Sequence, residues 1–128
     1  MVKQSLNHEF IIKYLDSFLF ESELYIITEY ADKGDLKKLI RAKKESGIGF
    51  TENIIFEYIY QISAALIYMH DKRVIHRDLK PANIFISNNE TLKVGDLGLS
   101  RAFSSDTTHA FTKVGTPLYM SPELIEAE

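Results

Sequence analysis

Three observations predict an α+β fold for this chain. Ile11 to Phe20 and Leu24 to Tyr30 are rich in β-branched and aromatic residues and flank the polar triplet Glu21-Ser22-Glu23, the pattern of a β-hairpin. After residue 50 a helical repeat takes over, with Ile55, Ile59, Ile62, Leu66 and Met69 at steps of four, three, four and three. Beyond it, Val74-Ile75 and Ile84-Phe85-Ile86 have the composition of short buried strands, and they flank a loop that gathers a base, an acid, a cation and an amide between His76 and Asn83.

Bulk properties narrow the field. The 128 residues, 45% hydrophobic and 26% charged, suit one globular unit. A net charge of -3 argues against a protein held to nucleic acid by a global positive field. The absence of cysteine excludes disulfides and thiolate metal sites and fits a reducing compartment. No stretch approaches the roughly 18 uninterrupted apolar residues of a spanning helix, so the expectation is a soluble, intracellular protein without a membrane partner.

Taken in order, the hairpin ends at Ala31-Asp32-Lys33-Gly34, which breaks the strand pattern. Asp35 is placed to N-cap a short helix over Leu36-Lys37-Lys38-Leu39-Ile40. Lys37, Lys38, Arg41, Lys43 and Lys44 form the basic cluster of the chain, read either as a solvated helix face with its following turn or as a partner patch. Gly47 and Gly49 mark a loop, Thr51 is the N-cap of the long helix, and that helix is expected to run to about His70. Asp71-Lys72-Arg73 then turns the chain into the 74–86 stretch. There Pro81 fixes one backbone angle and biases Lys80 toward extended geometry, so that the polar side chains are presented. Ser87-Asn88-Asn89-Glu90 is a turn into a further strand around Leu92-Lys93-Val94. From Gly95 to Pro122 no periodicity is evident, and loops of that length inside compact domains are usually functional or disordered.

Chemistry concentrates in three ordered motifs. His76-Arg77-Asp78-Leu79 is followed by Asn83, then by Asp96-Leu97-Gly98 after a strand, then by Gly115-Thr116-Pro117 and Met120-Ser121-Pro122-Glu123. A hairpin beginning at the 76–83 loop can return the Asp96 carboxylate to the same cleft as Asn83, which would give the hard oxygen ligands that Mg²⁺ takes beside phosphate oxygens.

In this combination and order the chain resembles eukaryotic protein kinases, with Lys80 two residues after Asp78 in the manner of serine/threonine kinases. Within them it is similar to the NIMA-related (Nek) family on Leu6-Asn7-His8, Ile11 to Tyr14, Ala31 to Leu36, His76 to Asn83, Gly95 to Leu99 and Gly115 to Glu123.

The resemblance implies a partial protein-kinase-like fold. Residues of about 1–30 would supply the end of a small lobe and the hinge, and about 31–128 the first part of a helical large lobe through the activation segment. It implies ATP and Mg²⁺ as cofactors, with Asp78 orienting and deprotonating the acceptor hydroxyl, Lys80 neutralising the phosphoryl group in transfer, and Asn83 and Asp96 holding the metal. Thr28 would stand at the gatekeeper position, backbone groups of Glu29 and Ala31 would face the adenine, Asp35 would reach the ribose, and Phe85 would lie beneath the base. Phe85 also has a plain reading as core filling, and the two are compatible. His76 is read as a core histidine supporting the loop, in a spine with Leu97 and Tyr14. Tyr14 carries a second implication, turning into the active site to hinder it, against simple packing.

Ser100 to Thr116 would be the activation loop, with Thr112 as the phosphorylation site and Arg77 as the guanidinium that pairs with the phosphate; Thr116 is a further regulatory candidate. Ser104, Ser105, Thr107 and Thr108 compete with Thr112 for that role. Implied partners are protein substrates bearing serine or threonine hydroxyls and an upstream activating kinase, with no nucleic acid. The implied setting is the cytoplasm, with the nucleus or cytoskeleton as alternatives.

Departures from the family pattern are Glu9-Phe10, Leu97 for the commoner phenylalanine and Ser121 for the commoner alanine. The sequence holds no Gly-rich phosphate loop and none of the strand lysine and helix glutamate that accompany it, so it is expected to represent a central fragment. Glu123 would then be a buried carboxylate without its partner, a loss of about 3–5 kcal/mol, and part of the apolar face of the long helix would lack cover. Because positioning supplies about 7–11 kcal/mol of barrier and a general base only about 10²–10⁴-fold, little or no transfer is expected from these residues alone. The alternative is a truncated, non-catalytic binding or decoy module.

Overall fold

A computed structural model describes residues 6–95, 101–102 (backbone only) and 116–126. Asp96, Leu97, Thr112 and the competing hydroxyls of Ser104, Ser105, Thr107 and Thr108 lie outside the described residues.

The chain opens with the expected hairpin, β1 (Tyr14–Phe20) and β2 (Glu23–Thr28), antiparallel with Tyr14 opposite Thr28 and Phe20 opposite Glu23. Its tight turn places Glu21 and Ser22 at φ 48° and 67°. Asp35 then caps α1 (Leu36–Ser46), its side chain accepting from the Lys38 N–H at 2.9 Å. The helix is longer than the Leu36–Ile40 run and ends at Gly47, which takes the left-handed conformation at φ 69°. All five residues of the basic cluster therefore lie on α1, where Lys38 pairs with Asp35, Arg41 with Glu45, and Lys43 sits over the Phe50 ring. These pairings favour the solvated-face reading.

Thr51 caps α2 (Glu52–Asp71) as expected. Its buried face is a correction. The structure buries Gln61, Ala65 and Met69, with Ile62 and Leu66 partly covered, whereas Ile55 and Ile59 are 46% and 54% exposed. The reason is that α2 packs by its C-terminal half against β3 (Val74–Ile75) and β5 (Leu92–Val94), while its first two turns extend beyond them. Gln61 belongs to the buried face because its Oε1 accepts from the Leu92 N–H at 2.7 Å and its Nε2 donates to Glu57, a polar contact that apolar periodicity does not register.

β4 (Ile84–Ile86) and β5 form the second hairpin, with Ile84 opposite Val94 and Ile86 opposite Leu92. β3 pairs instead with β6 (Arg101–Ala102). On its other side β5 takes the segment before β1: the Val94 N–H donates to the Phe10 carbonyl at 2.8 Å and the Ile12 N–H to the Val94 carbonyl at 2.9 Å. β5 thus has partners on both edges, and two apolar clusters meet on it. One joins Leu6, Ile11, Ala65, Met69, Val74 and Val94; the other joins Leu36, Ile84, Ile86 and Leu92. Leu79 packs against both.

A 3-10 turn (Pro117–Tyr119) and α3 (Pro122–Glu126) close the described chain. Glu123 is exposed there, and the Ser121 hydroxyl and the backbone hold its carboxyl below the usual range, so the expected cost of an orphaned buried carboxylate does not arise. The anticipated lack of cover is present along α2, at Phe56, Ile59, Tyr60 and Ile67, and extends over the β1–β2 hairpin. A lone hairpin is marginal without further strands or a helix against it.

Candidate active site

The loop between β3 and β4 is built from its buried histidine outward. His76 is 2% exposed, and its ring bridges two backbone groups: Nε2–H donates to the Gly95 carbonyl at 2.8 Å, and Nδ1 accepts from the Asp78 N–H at 3.2 Å. Those roles require the neutral Nε2–H tautomer. The Nδ1 contact spans Arg77, whose backbone is left-handed at φ 69°, a conformation that costs a non-glycine residue about 1–2 kcal/mol. The imidazole therefore holds a strained turn that sends Asp78 back toward Asn83. Lys80 is extended at φ −161°, ψ 161°, as the following proline demands, and Pro81 starts a 3-10 turn (Pro81–Asn83) that carries Asn83 inward.

Four side chains converge. Asp78 Oδ2 lies 2.9 Å from Lys80 Nζ and accepts from Asn83 Nδ2 at 3.1 Å; Oδ1 accepts from the Thr116 hydroxyl at 2.7 Å. The Lys80 ammonium in turn donates to the Thr116 oxygen. Asn83 Nδ2 also donates to the Asp78 carbonyl at 2.9 Å, which fixes the amide orientation. Burial acts most strongly on the Asp78 carboxyl and would raise its pKa. The Thr116 and Lys80 hydrogen bonds, the Lys80 charge and the Asn83 amide together outweigh it and hold the carboxyl below the usual range. Asp78 is thus an ionised, nearly buried acceptor at neutral pH.

The remaining candidates occupy three places. The Gly95 N–H donates to the Asn83 carbonyl at 2.9 Å, bringing the residue before Asp96 against Asn83. Asp35 and Phe85 pair through their backbones, and the Ile86 N–H bonds the Gly34 carbonyl, so the 31–35 segment lies along β4. Asp35 Oδ1 is committed to its helix cap. Thr28 is exposed at the end of β2, with Glu29 and Ala31 following it. Tyr14 is opposite Thr28 but directs its hydroxyl to Ser17 Oγ at 2.7 Å. The Phe85 ring packs so closely on Gly95 that a Cβ there would lie 2.6 Å from its Cε2.

With Asn83 Nδ2 donating to Asp78, Oδ1 is the amide atom turned free for a hard cation, an oxygen donor of the kind that fits Mg²⁺. Among the described residues no three His, Cys, Asp or Glu side chains group as a metal site, and no helix is long and apolar enough to cross a membrane.

The sequence pattern of the protein kinase domain matches residues 1–128. The chain belongs to the protein kinase family. Its curated relatives include the serine/threonine-protein kinases Nek1 of Mus musculus, 40% identical over 98% of this chain and 10% of that protein, and Nek11 of Mus musculus, 44% identical over 94% and 19%. The nekl-2 kinase of Caenorhabditis elegans is 41% identical over 97% of this chain and 36% of its own length. Within the kinases the chain is thus Nek-related, and it spans between about a tenth and a third of these relatives. Kinases of this family generally use ATP and Mg²⁺.

Two features of this candidate site are not legible in the sequence. The sequence marks Thr116 only as a regulatory candidate, yet its hydroxyl sits on the Asp78 carboxylate; its place in an ordered motif carries no hint of a partner. Lys93, in the middle of β5, ties Glu29 to Glu9, and nothing in the alternation of Leu92-Lys93-Val94 marks it.

Proposed function

We propose that these residues form the catalytic loop and nucleotide hinge of a kinase that transfers the γ-phosphoryl group of ATP to serine or threonine hydroxyls of proteins. The observation that carries this reading is the position of the Thr116 hydroxyl, which donates to Asp78 and accepts from Lys80. A substrate hydroxyl needs the same two neighbours, an ionised carboxylate to take its proton and a cation beside the transferred group. Asp78 is the proton acceptor, Lys80 the charge stabiliser, His76 holds the loop, and the Arg77 guanidinium would pair with a phosphate on Thr112. Asn83, with Asp96, would hold Mg²⁺, which when bound neutralises charge on the phosphate oxygens. Glu29 and Ala31 would take the adenine through their backbones, Thr28 would stand behind it, and Phe85 beneath it. Asp35 would meet the ribose through Oδ2, since Oδ1 caps α1. Thr112 would be the phosphorylated residue and Tyr14 a regulatory neighbour of the hinge.

The 128 residues alone would transfer little. Support comes from the open faces of the β1–β2 hairpin and of the first half of α2, which leave the hairpin leading to the hinge without the packing that positions reactants. The test is phosphorylation of a protein substrate from labelled ATP by the whole protein, expected to fall about 10²–10⁴-fold in Asp78→Ala. Undiminished transfer by that variant, or absence of any thermal stabilisation of the whole protein by MgATP, sinks the reading.

A further inference from the structure

The Lys93 ammonium lies between two acceptors, the Glu9 carbonyl oxygen at 3.0 Å and Glu29 Oε1 at 3.0 Å. The same Glu29 oxygen accepts from the Lys13 N–H at 2.7 Å, and the Glu29 N–H donates to the Lys13 carbonyl at 2.9 Å. One cation therefore joins three segments: the stretch before β1, the residue after β2, and β5. Its contacts reach across 84 and 64 residues of sequence.

Exposed ion pairs at helix spacing contribute little, because water and salt screen them and two long side chains must be ordered. This pair differs in burial and in geometry. The Lys93 and Glu29 side chains are 17% and 30% exposed, and the ammonium also satisfies a backbone carbonyl. A lysine in a strand is normally free to extend its head to water; here it is held by Glu29 and the Glu9 carbonyl and surrenders rotamer freedom. A cleft of about 410 Å³, lined by Glu29, Tyr30, Asp32, Asn88 and Lys93 among others, opens beside the pair, so the contact is accessible to water without being immersed in it. Burial would raise the Glu29 carboxyl pKa, but the Lys13 amide and the Lys93 ammonium outweigh it and keep the group ionised.

The placement gives the contact a role beyond packing. Glu29 and Ala31 are the residues assigned to the base, and β5 runs directly into Gly95, whose N–H bonds the carbonyl of Asn83, a residue assigned to the metal. We propose that Lys93 is a positioning residue that fixes the spacing between these two ends of the nucleotide site by clamping Glu29 and the Glu9 carbonyl to β5. The proposal rests on the nucleotide reading given above.

The test compares Lys93→Met, which keeps the aliphatic length and removes the charge, with Lys93→Arg, which keeps the charge. Without nucleotide, amide hydrogen exchange at Lys13 and Glu29 should quicken about tenfold in Lys93→Met and stay near the unsubstituted rate in Lys93→Arg. Titration of the whole protein with a fluorescent ADP analogue and Mg²⁺ should show about three- to tenfold weaker binding in Lys93→Met and rescue in Lys93→Arg. Unchanged exchange overturns the clamp, and faster exchange with unchanged affinity overturns its positioning role. Should Lys93→Met not fold, Glu29→Gln, which retains the Lys13 contact, carries the same two readouts. Failure of the unsubstituted protein to bind the nucleotide would instead remove the kinase reading, and the clamp is then judged on exchange alone.

Discussion

The Thr116 hydroxyl donates to Asp78 Oδ1 at 2.7 Å, across 38 residues of sequence, and so joins the residue before the Pro117–Tyr119 turn to the loop between β3 and β4. Because Lys80 donates to the same oxygen, three residues share one hydrogen-bonded unit. Its state depends on the ionisation of Asp78.

Replacing Thr116 by valine removes one of the donors that lower the Asp78 pKa, so that value should rise. The folded value is depressed, so the ionised carboxylate contributes stability above its unfolded pKa of about 3.9 and loses it as pH falls through the folded value. Carbon-13 NMR of the Asp78 carboxyl should show a midpoint below about 3.9 in the unsubstituted chain and a higher one in Thr116→Val. An unmoved midpoint would show that the hydroxyl has no hold on the carboxylate.

Gly95→Ala should be destabilising through a contact, since the glycine's backbone angle is not the issue. The added methyl would stand 2.6 and 2.7 Å from Phe85 ring carbons and 3.0 Å from Ile12 Cγ1. Overpacking of this kind costs about 1–3 kcal/mol in urea unfolding. A Phe85→Leu background should return part of that loss; equal losses in both backgrounds would mean that the ring is not what the methyl strikes.

His76→Phe keeps an aromatic ring but leaves the Gly95 carbonyl and the Asp78 N–H without their buried partner. The expected cost is about 1–3 kcal/mol, measured by denaturant unfolding, with faster exchange of the Asp78 amide. Full retention of stability and of that protection would contradict the bridge over Arg77.

Gln61→Leu tests the polar contact inside α2. The substitution is apolar and suits a helix, yet it should lower stability by about 1–3 kcal/mol because the Leu92 N–H loses its 2.7 Å acceptor. A more stable variant would show that burial alone sets this position.

Much of the site was legible because its chemistry is local. Asp78, Lys80 and Asn83 lie within one short loop, and Pro81 constrains the backbone between them, so their convergence follows from spacing. The caps at Asp35 and Thr51 were legible for the same reason, each side chain reaching only three residues ahead. The buried face of α2 is not legible in the sequence because the helix is apolar on several sides. Which side is covered depends on where β3 and β5 lie, and the choice of Gln61 over Ile59 reflects a backbone donor at Leu92.

By itself, then, the sequence determined the hairpin, the two capped helices, the polar loop between β3 and β4 and the family to which they belong, since each is encoded in residues a few positions apart. Only the tertiary structure decided that β3 pairs with β6, that Thr116 closes on Asp78, and that Lys93 clamps Glu29 to Glu9. Those contacts join residues far apart in the chain. Whether their partners meet is set by the packing of β5 between its neighbours, a property that no local pattern of side chains contains.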